Sequence, residues 1–263
     1  MAVPSILHDI LQTKAQEVAA GKKQLSSATL LQQLGDCPPA RGFEKRLRAK
    51  LEAGPSIIAE VKKASPSAGV IREDFQPDQI ARSYEKAGAA CLSVLTDRDY
   101  FQGCDEYLQM ARNACALPVL RKDFMVDEWQ ILHSRVLGAD CILLIAAALE
   151  PAHMADLLAV SKEAGLDALI EVHNEAELEN TLKLDHQLIG VNNRNLKTFE
   201  TSLATSERLK KMMPDDHLLV TESGIRRVQD VQQMQAAGIN AFLVGEAFMR
   251  EPEPGEALKR MFF

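Results

Sequence analysis

The sequence predicts an α/β fold in which eight parallel strands, each followed by a helix, close into a barrel behind an N-terminal helical extension. Three observations predict it. Eight short apolar runs rich in β-branched residues recur: SIIAEVK (56–62), ACLSVLT (90–96), PVLRKDF (118–124), DCILLIA (140–146), DALIEVH (167–173), LIGVNNR (188–194), HLLVTES (217–223) and AFLVGEA (241–247). Their starts lie 34, 28, 22, 27, 21, 29 and 24 residues apart, about the length of one strand, one helix and two loops. The runs are near-continuously apolar rather than alternating, which marks strands covered on both faces. Four of them follow a similar tag, AGAA (87–90), LGAD (137–140), AGLD (164–167) and AGIN (237–240), whose glycine suits a helix C-cap just before a strand. Eight such units favour a (βα)8 TIM barrel over an open doubly wound sheet. No Pro/Ser/Gly-rich linker interrupts them, so residues 1–263 are expected to form one domain.

Residues 1–55 precede the first run and do not fit the repeat. Ile6, Ile10, Leu11, Ala15 and Val18 suggest one amphipathic stripe, and Leu30, Leu31 and Leu34 another. Spacing allows two places for this extension, a plug under the barrel or a lid over its top. Between the runs, QPDQIARSYEKAG carries Pro77 near its start and Ile80, Ala81, Tyr84 and Ala87 on one side. EPAHMADLLAVSKEAG repeats the arrangement with Pro151, Met154, Leu157, Leu158 and Ala164. Trp129, the single tryptophan, falls on the helix expected after the third run and reads as a packing residue.

Composition limits the function classes without choosing among them. The 263 residues carry 30 basic and 37 acidic side chains, a net charge of −7, which argues against a general nucleic-acid binder. An anionic small molecule is not excluded, because local potential matters more there than net charge. The longest uncharged apolar run, CILLIAAAL (141–149), is far short of the roughly 20 residues a membrane span needs. His8 and Asp9 break the apolar stretch of MAVPSILHDILQTK, so no signal peptide is expected and the cytoplasm is the natural compartment. The five cysteines show no C-x-x-C spacing, which speaks against a disulfide framework or a zinc site, and Cys91 and Cys141 read as small buried hydrophobes.

In barrels of this class the reacting groups come from the C-terminal ends of the strands. Those ends carry Glu60 and Lys62, then Arg121, Lys122 and Asp123, then Glu171 and His173, Asn192 and Arg194, and finally Glu222, Ser223 and Gly224. Charges inside apolar strands are costly unless paired or wetted, so five strands agreeing at one end point to an active site. Lysines and carboxylates converging there supply both a proton donor and an acceptor. Spacing alone does not separate that use from a Schiff-base lysine. Gly224 and Gly245, at matched points of the last two units, suit a phosphate held by backbone N–H groups. H-E-x-x-H, P-loop and G-x-S-x-G motifs are absent, and the histidines other than His173 read as surface or capping residues.

Six segments, IAEVKKASPS (58–67), VLTDRDYFQG (94–103), LRKDFMVD (120–127), LIEVHN (169–174), IGVNNRNL (189–196) and TESGI (221–225), together with the end-to-end pattern from ILHDILQTKAQEV to LVGEAFMR, resemble the indole-3-glycerol phosphate synthase family. The resemblance implies a lyase of tryptophan biosynthesis that closes the indole ring of 1-(2-carboxyphenylamino)-1-deoxyribulose 5-phosphate with loss of carbon dioxide and water, using no cofactor and no metal. It implies Lys122 as general acid in ring closure, Glu171 and Lys62 as the acid–base pair of the dehydration in an order left open, and Glu60, Asn192 and Glu222 as the remaining polar shell. Ser65 and Arg194 would meet polar groups of the substrate, and Phe101, Phe124 and Leu143 would line the pocket for its aromatic ring. Its phosphate would lie on Ser223, Gly224, Gly245 and Glu246. Some members have serine where this chain has Glu246, and a carboxylate beside a phosphate repels it, so only the Glu246 backbone N–H is expected to help. The resemblance moves the extension towards the lid position. It leaves non-covalent contact with other tryptophan-pathway enzymes as the expected form of any partnership. The alternatives are a related sugar-phosphate barrel, such as phosphoribosylanthranilate isomerase or a Schiff-base aldolase, and a non-catalytic barrel that binds a phosphate ligand.

Overall fold

The computed structural model describes residues 5–263, so residues 1–4 of the expected extension lie outside the described residues. Three helices come first: α1 (Ser5–Gln24), α2 (Ser27–Leu34) and α3 (Phe43–Leu51). The barrel opens with β1 (Ser56–Val61), and a small antiparallel hairpin, β2 (Ala64–Ser65) and β3 (Gly69–Val70), stands on its top before α4 (Pro77–Lys86). The alternation then runs β4 (Cys91–Leu95), α5 (Asp105–Ala114), β5 (Val119–Lys122), α6 (Glu128–Leu137), β6 (Cys141–Ile145) and α7 (Pro151–Glu163). It continues as β7 (Asp167–Val172), α8 (Glu175–Thr181), β8 (Leu188–Asn192), α9 (Ala204–Lys210), β9 (Leu218–Glu222) and α10 (Val228–Ala236). The last unit is β10 (Ala241–Val244) with α11 (Glu246–Met249) and α12 (Pro254–Phe262). Eight strands fall on the eight apolar runs and close in the order β1-β10-β9-β8-β7-β6-β5-β4. All eight pairings are parallel, with β1 hydrogen-bonded to both β4 and β10. The glycine of each tag sits at positive φ, 93°, 97°, 71° and 75° at Gly88, Gly138, Gly165 and Gly238, as a left-handed helix end requires.

Two apolar cores follow from the twofold alternation of strand side chains. Outward residues such as Ile57, Ala59, Val94 and Ile142 pack against the ring of helices. Inward residues, among them Ile58, Cys91, Leu120, Cys141, Leu188 and Ala241, fill the lower barrel together with Phe43 and Leu47 of α3. The extension therefore divides between the two places its spacing allowed. Helix α3 seals the bottom, whereas Ile6, Leu7 and Ile10 of α1 border the cavity at the top. Truncating Leu47, fully buried in the plug, is expected to cost about 2–5 kcal/mol. Denaturant unfolding of Leu47→Ala measures this, and the rate per folded molecule should stay that of the wild type.

Three expectations need correction. The buried stripe of α1 is Leu7, Ile10, Lys14 and Val18, while Ala15 is exposed. The interval of three and four residues was right, but a lysine occupies the place that apolar matching skipped. Leu31 faces solvent at 57% exposure, because α2 lays Leu30, not Leu31, against Trp129 and Leu132. His133 is not a surface residue: its ring stacks on Trp129 with centroids 4.7 Å apart. Burial and the adjacent Arg121 guanidinium push its pKa down to about 4. No helix among the described residues is long and apolar enough to cross a membrane.

Candidate active site

The same alternation that buries Ile58 carries Glu60 and then Lys62 to the inner side at the top of β1. Lys122, Glu171, Asn192 and Glu222 reach the same level from β5, β7, β8 and β9, where Asn192 pairs in register with Glu222 and Glu171 with Gly190. The charges meet there as two linked pairs. Lys62 Nζ lies 2.6 Å from Glu60 Oε2. Lys122 Nζ lies 2.5 Å from Glu222 Oε2 and 3.6 Å from Glu171 Oε2. Asn192 donates to Glu171 Oε1 at 3.2 Å. His173 Nε2 also lies 3.2 Å from Glu171 Oε1, but off the hydrogen-bonding direction, so that contact is ionic.

Two glycines make room for these carboxylates. A Cβ at Gly190 would fall on Glu222 Oε1, and one at Gly245 on Glu60 Oε2. Neither clash depends on backbone conformation; the inner barrel simply has no volume for both groups.

Burial opposes ionisation of every carboxylate here, and the neighbours decide which of them ionise. At Glu171 burial is outweighed by Lys122, His173 and Asn192, and the pKa is held near 2. At Glu60 the lysine charges of Lys62 and Lys122 likewise overcome burial and lower the pKa. At Glu222 burial, helped by repulsion from Glu171 and Glu60, prevails over Lys122 and pushes the pKa up to about 7. Lys122 itself is held as the ammonium, because Glu222, Glu171 and Glu60 together exceed the effect of burial. His173, between Glu171 and Glu177, is raised to about 10 against the effect of its own burial. A pKa raised in the folded state stabilises fully below the unfolded value and is lost as pH rises through the folded one. The melting-temperature gap between wild type and His173→Gln is thus expected to be widest near pH 6 and to close by about pH 10. A gap independent of pH would remove the imidazolium from this account.

Glu60, Lys62, Lys122, Glu171, Asn192 and Glu222 line one cavity of about 440 Å³, as do Ser65, Phe101, Phe124, Leu143, Arg194, Ser223, Gly224, Gly245 and Glu246. His173 stands behind Glu171, outside the lining. On one side Phe101 and Phe124 stand with ring centroids 6.1 Å apart, next to Leu143. On the other, β9 runs into Ser223 and Gly224, both at positive φ (63° and 89°), and β10 into Gly245, which caps α11. Left-handed backbone at the non-glycine Ser223 is strain of the kind concentrated at functional sites. Glu246 stands at the same edge, its carboxylate 2.7 Å from Arg250 and 3.8 Å from Arg194. Arg194 also donates to Ser67 Oγ of the hairpin turn at 2.8 Å. Ser65 Oγ is buried without a partner among the described residues.

Two strand-end residues stand apart from this group. Arg121 points out of the barrel to Asp105, Thr96 and Ser134. Asp123 borders the cavity but is engaged by Thr96 and by Lys14 of α1. Sequence reasoning missed Lys14, and also Leu7, Leu196 and Phe199 of the apolar rim, of which Ile6 and Ile10 lay on the expected stripe. The rim carried a usable signal, since an apolar stripe far from the barrel repeat needs something to cover.

The fold recurs in tryptophan synthase subunit alpha from Legionella pneumophila str. Paris, at 13% identity and TM-score 0.62 over 85% of this chain and 97% of that one. A second structure, the tryptophan synthase alpha chain from Legionella pneumophila subsp. pneumophila, matches at 14% identity and TM-score 0.61 over 85% and 96%. KGPDC from Streptococcus mutans matches at 10% identity and TM-score 0.60 over 79% and 95%. At such identities these likenesses establish the barrel and nothing finer. The family model described as Indole-3-glycerol phosphate synthase is matched over residues 7–261, a span that takes in all but the first two residues of α1, the barrel and every charged group at its mouth. The chain belongs to the indole-3-glycerol phosphate synthase family.

Proposed function

We propose that this chain is a single-domain, cofactor-free indole-3-glycerol-phosphate synthase, EC 4.1.1.48, acting on 1-(2-carboxyphenylamino)-1-deoxyribulose 5-phosphate. One observation carries the reading: a buried ammonium, Lys122, stands between an aromatic wall and a backbone anion cradle, with a low-pKa and a high-pKa carboxylate both within 4 Å. In the first step the ring carbon bearing the carboxylate attacks the C2′ carbonyl. Lys122 gives its proton to the carbonyl oxygen as negative charge develops there. Carbon dioxide then leaves, and its bonding pair restores the aromatic ring. Phe101 and Phe124 keep water from the departing carboxylate, which favours this step. In the dehydration Glu171, ionised through the neutral range, takes the proton from C1′, and Lys62 delivers a proton to the leaving C2′ hydroxyl. The sum is one carbon dioxide and one water per turnover.

The phosphate is assigned to the N–H groups of Ser223, Gly224, Gly245 and Glu246, whose side chain is drawn off by Arg250. Ser65 and Arg194 are assigned in this reading to the sugar hydroxyls and the ring carboxylate. A Schiff-base role needs a free amine, and Lys122 is held as the ammonium, so borohydride with substrate is expected to leave both lysines unmodified. We place the enzyme in the cytoplasm, with any contact to other pathway enzymes non-covalent. The test of the whole reading is indole fluorescence after adding the carboxyphenylamino-deoxyribulose phosphate. Absence of signal at micromolar enzyme would overturn it. Glu222 should also give the rate profile an inflection near pH 7 that Glu222→Gln abolishes.

A further inference from the structure

We propose that Lys14, on the helix that precedes the barrel, is the positioning residue for the aromatic-ring half of the cavity. The inference rests on the reaction proposed above. Lys14 is among the most buried side chains of the molecule, 1% exposed, whereas the other lysines of its helix, Lys22 and Lys23, are exposed. Its Nζ lies 2.7 Å from Glu17 Oε2, 2.9 Å from Asp97 Oδ2 and 3.0 Å from Asp123 Oδ1. Burying an ammonium is costly, and this one is compensated by two carboxylates that are themselves buried.

What those carboxylates hold is the point. Asp97 Oδ1 accepts the N–H groups of Tyr100 at 2.8 Å and Phe101 at 3.2 Å. Asp123 Oδ1 accepts the N–H of Phe124 at 2.8 Å, and its Oδ2 accepts the Thr96 hydroxyl at 2.6 Å. One cation thus fixes the two loop turns that carry the two aromatic walls, and Asp123 is covalently next to Lys122. Thr13 adds a second tie, its hydroxyl 3.1 Å from Tyr100 Oη. One and two turns before Lys14 along the same face, Ile10 and Leu7 meet the cavity. A lysine serving only to fasten α1 to the barrel could have paired with any outer carboxylate. Both of its barrel partners instead fix the backbone N–H of an aromatic wall residue. The phosphate end, built on β9 and β10, receives nothing from this network.

That asymmetry gives the test. Titration calorimetry on the full chain measures the Kd of anthranilate, a probe of the ring half, and of inorganic phosphate, a probe of the other. In Lys14→Met we expect anthranilate to weaken at least about tenfold, as removal of a buried cation from its carboxylates implies. Phosphate should stay within twofold. KM for the substrate should rise with the anthranilate Kd while kcat falls less, and Lys14→Arg should recover most of the loss. Trp129, packed on Gly21 of α1 and donating to Leu25 O at 2.7 Å, reports through its emission whether the helix stays docked. Should Lys14→Met fail to fold, Asp97→Asn removes one arm of the clamp and is expected to give the same selective loss, smaller in size. Parallel weakening of both probes, or of neither, would overturn the proposal and leave Lys14 a purely structural anchor. A wild type that makes no indole would instead sink the reaction reading, while the two Kd values still test the clamp.

Discussion

Replacing Lys122 by methionine is expected to lower kcat by at least about a hundredfold, the scale on which a general acid contributes. Methionine keeps the length and apolar stem of the side chain, so the loss measures the ammonium. The effect should exceed that of removing most other groups at the barrel mouth, because Lys122 answers to Glu222 at 2.5 Å and Glu171 at 3.6 Å. Without it three buried carboxylates face one another, and a proton must be taken up to relieve them. A second signature follows: the Glu222 titration, near pH 7 in the wild type, should move to higher pH in Lys122→Met, visible as a shift of the inflection in its pH–rate profile. Turnover close to wild type would remove Lys122 from the chemistry.

Gly190→Ala is expected to lower kcat by about a hundredfold as well, without adding or removing a charge. The added methyl would occupy the place of Glu222 Oε1 and sit 3.4 Å from Leu169 Cδ1, so it is the carboxylate that must turn away. Turning it breaks the 2.5 Å contact that aims the Lys122 ammonium. Overpacking of this kind costs about 1–3 kcal/mol of stability, which thermal melting should register alongside the rate. If stability falls and the rate does not, the direction of Lys122 is set by Glu171 alone.

The barrel was legible because its signal is repeated. A strand buried on both faces reads as an apolar run, a capped helix as a glycine tag, and eight units reinforce one another. The mouth was legible for a related reason: inside apolar runs, Glu60, Lys122, Glu171 and Glu222 are costly residues, and costly residues at one end of several strands have few explanations. Lys14 was not legible. On an amphipathic helix a lysine reads as solvated, and its partners Asp97 and Asp123 lie more than 80 residues further along the chain. The small hairpin of Ala64–Ser65 and Gly69–Val70 was missed because two-residue strands have no periodicity to detect. The size of the α1 error is instructive too. Apolar matching took Ile6 and Ala15 where Leu7 and Lys14 are buried, since a helix stripe is wide enough to accommodate neighbouring choices.

The seal that Phe43 and Leu47 make under the barrel also constrains the order of assembly. The inward core they join is drawn from Ile58 at one extreme of the barrel sequence to Leu243 at the other. That core does not exist until β10 pairs with β1, so the plug has no half-formed site on which to condense. A chain growing from its amino end would carry these two apolar side chains unsheltered through the making of seven strands. Strand closure and plug insertion should then be one late, cooperative event, and the folding rate should be limited by long-range pairing, as expected of topologies rich in non-local contacts. A helix that precedes every strand would then be among the last to complete its packing.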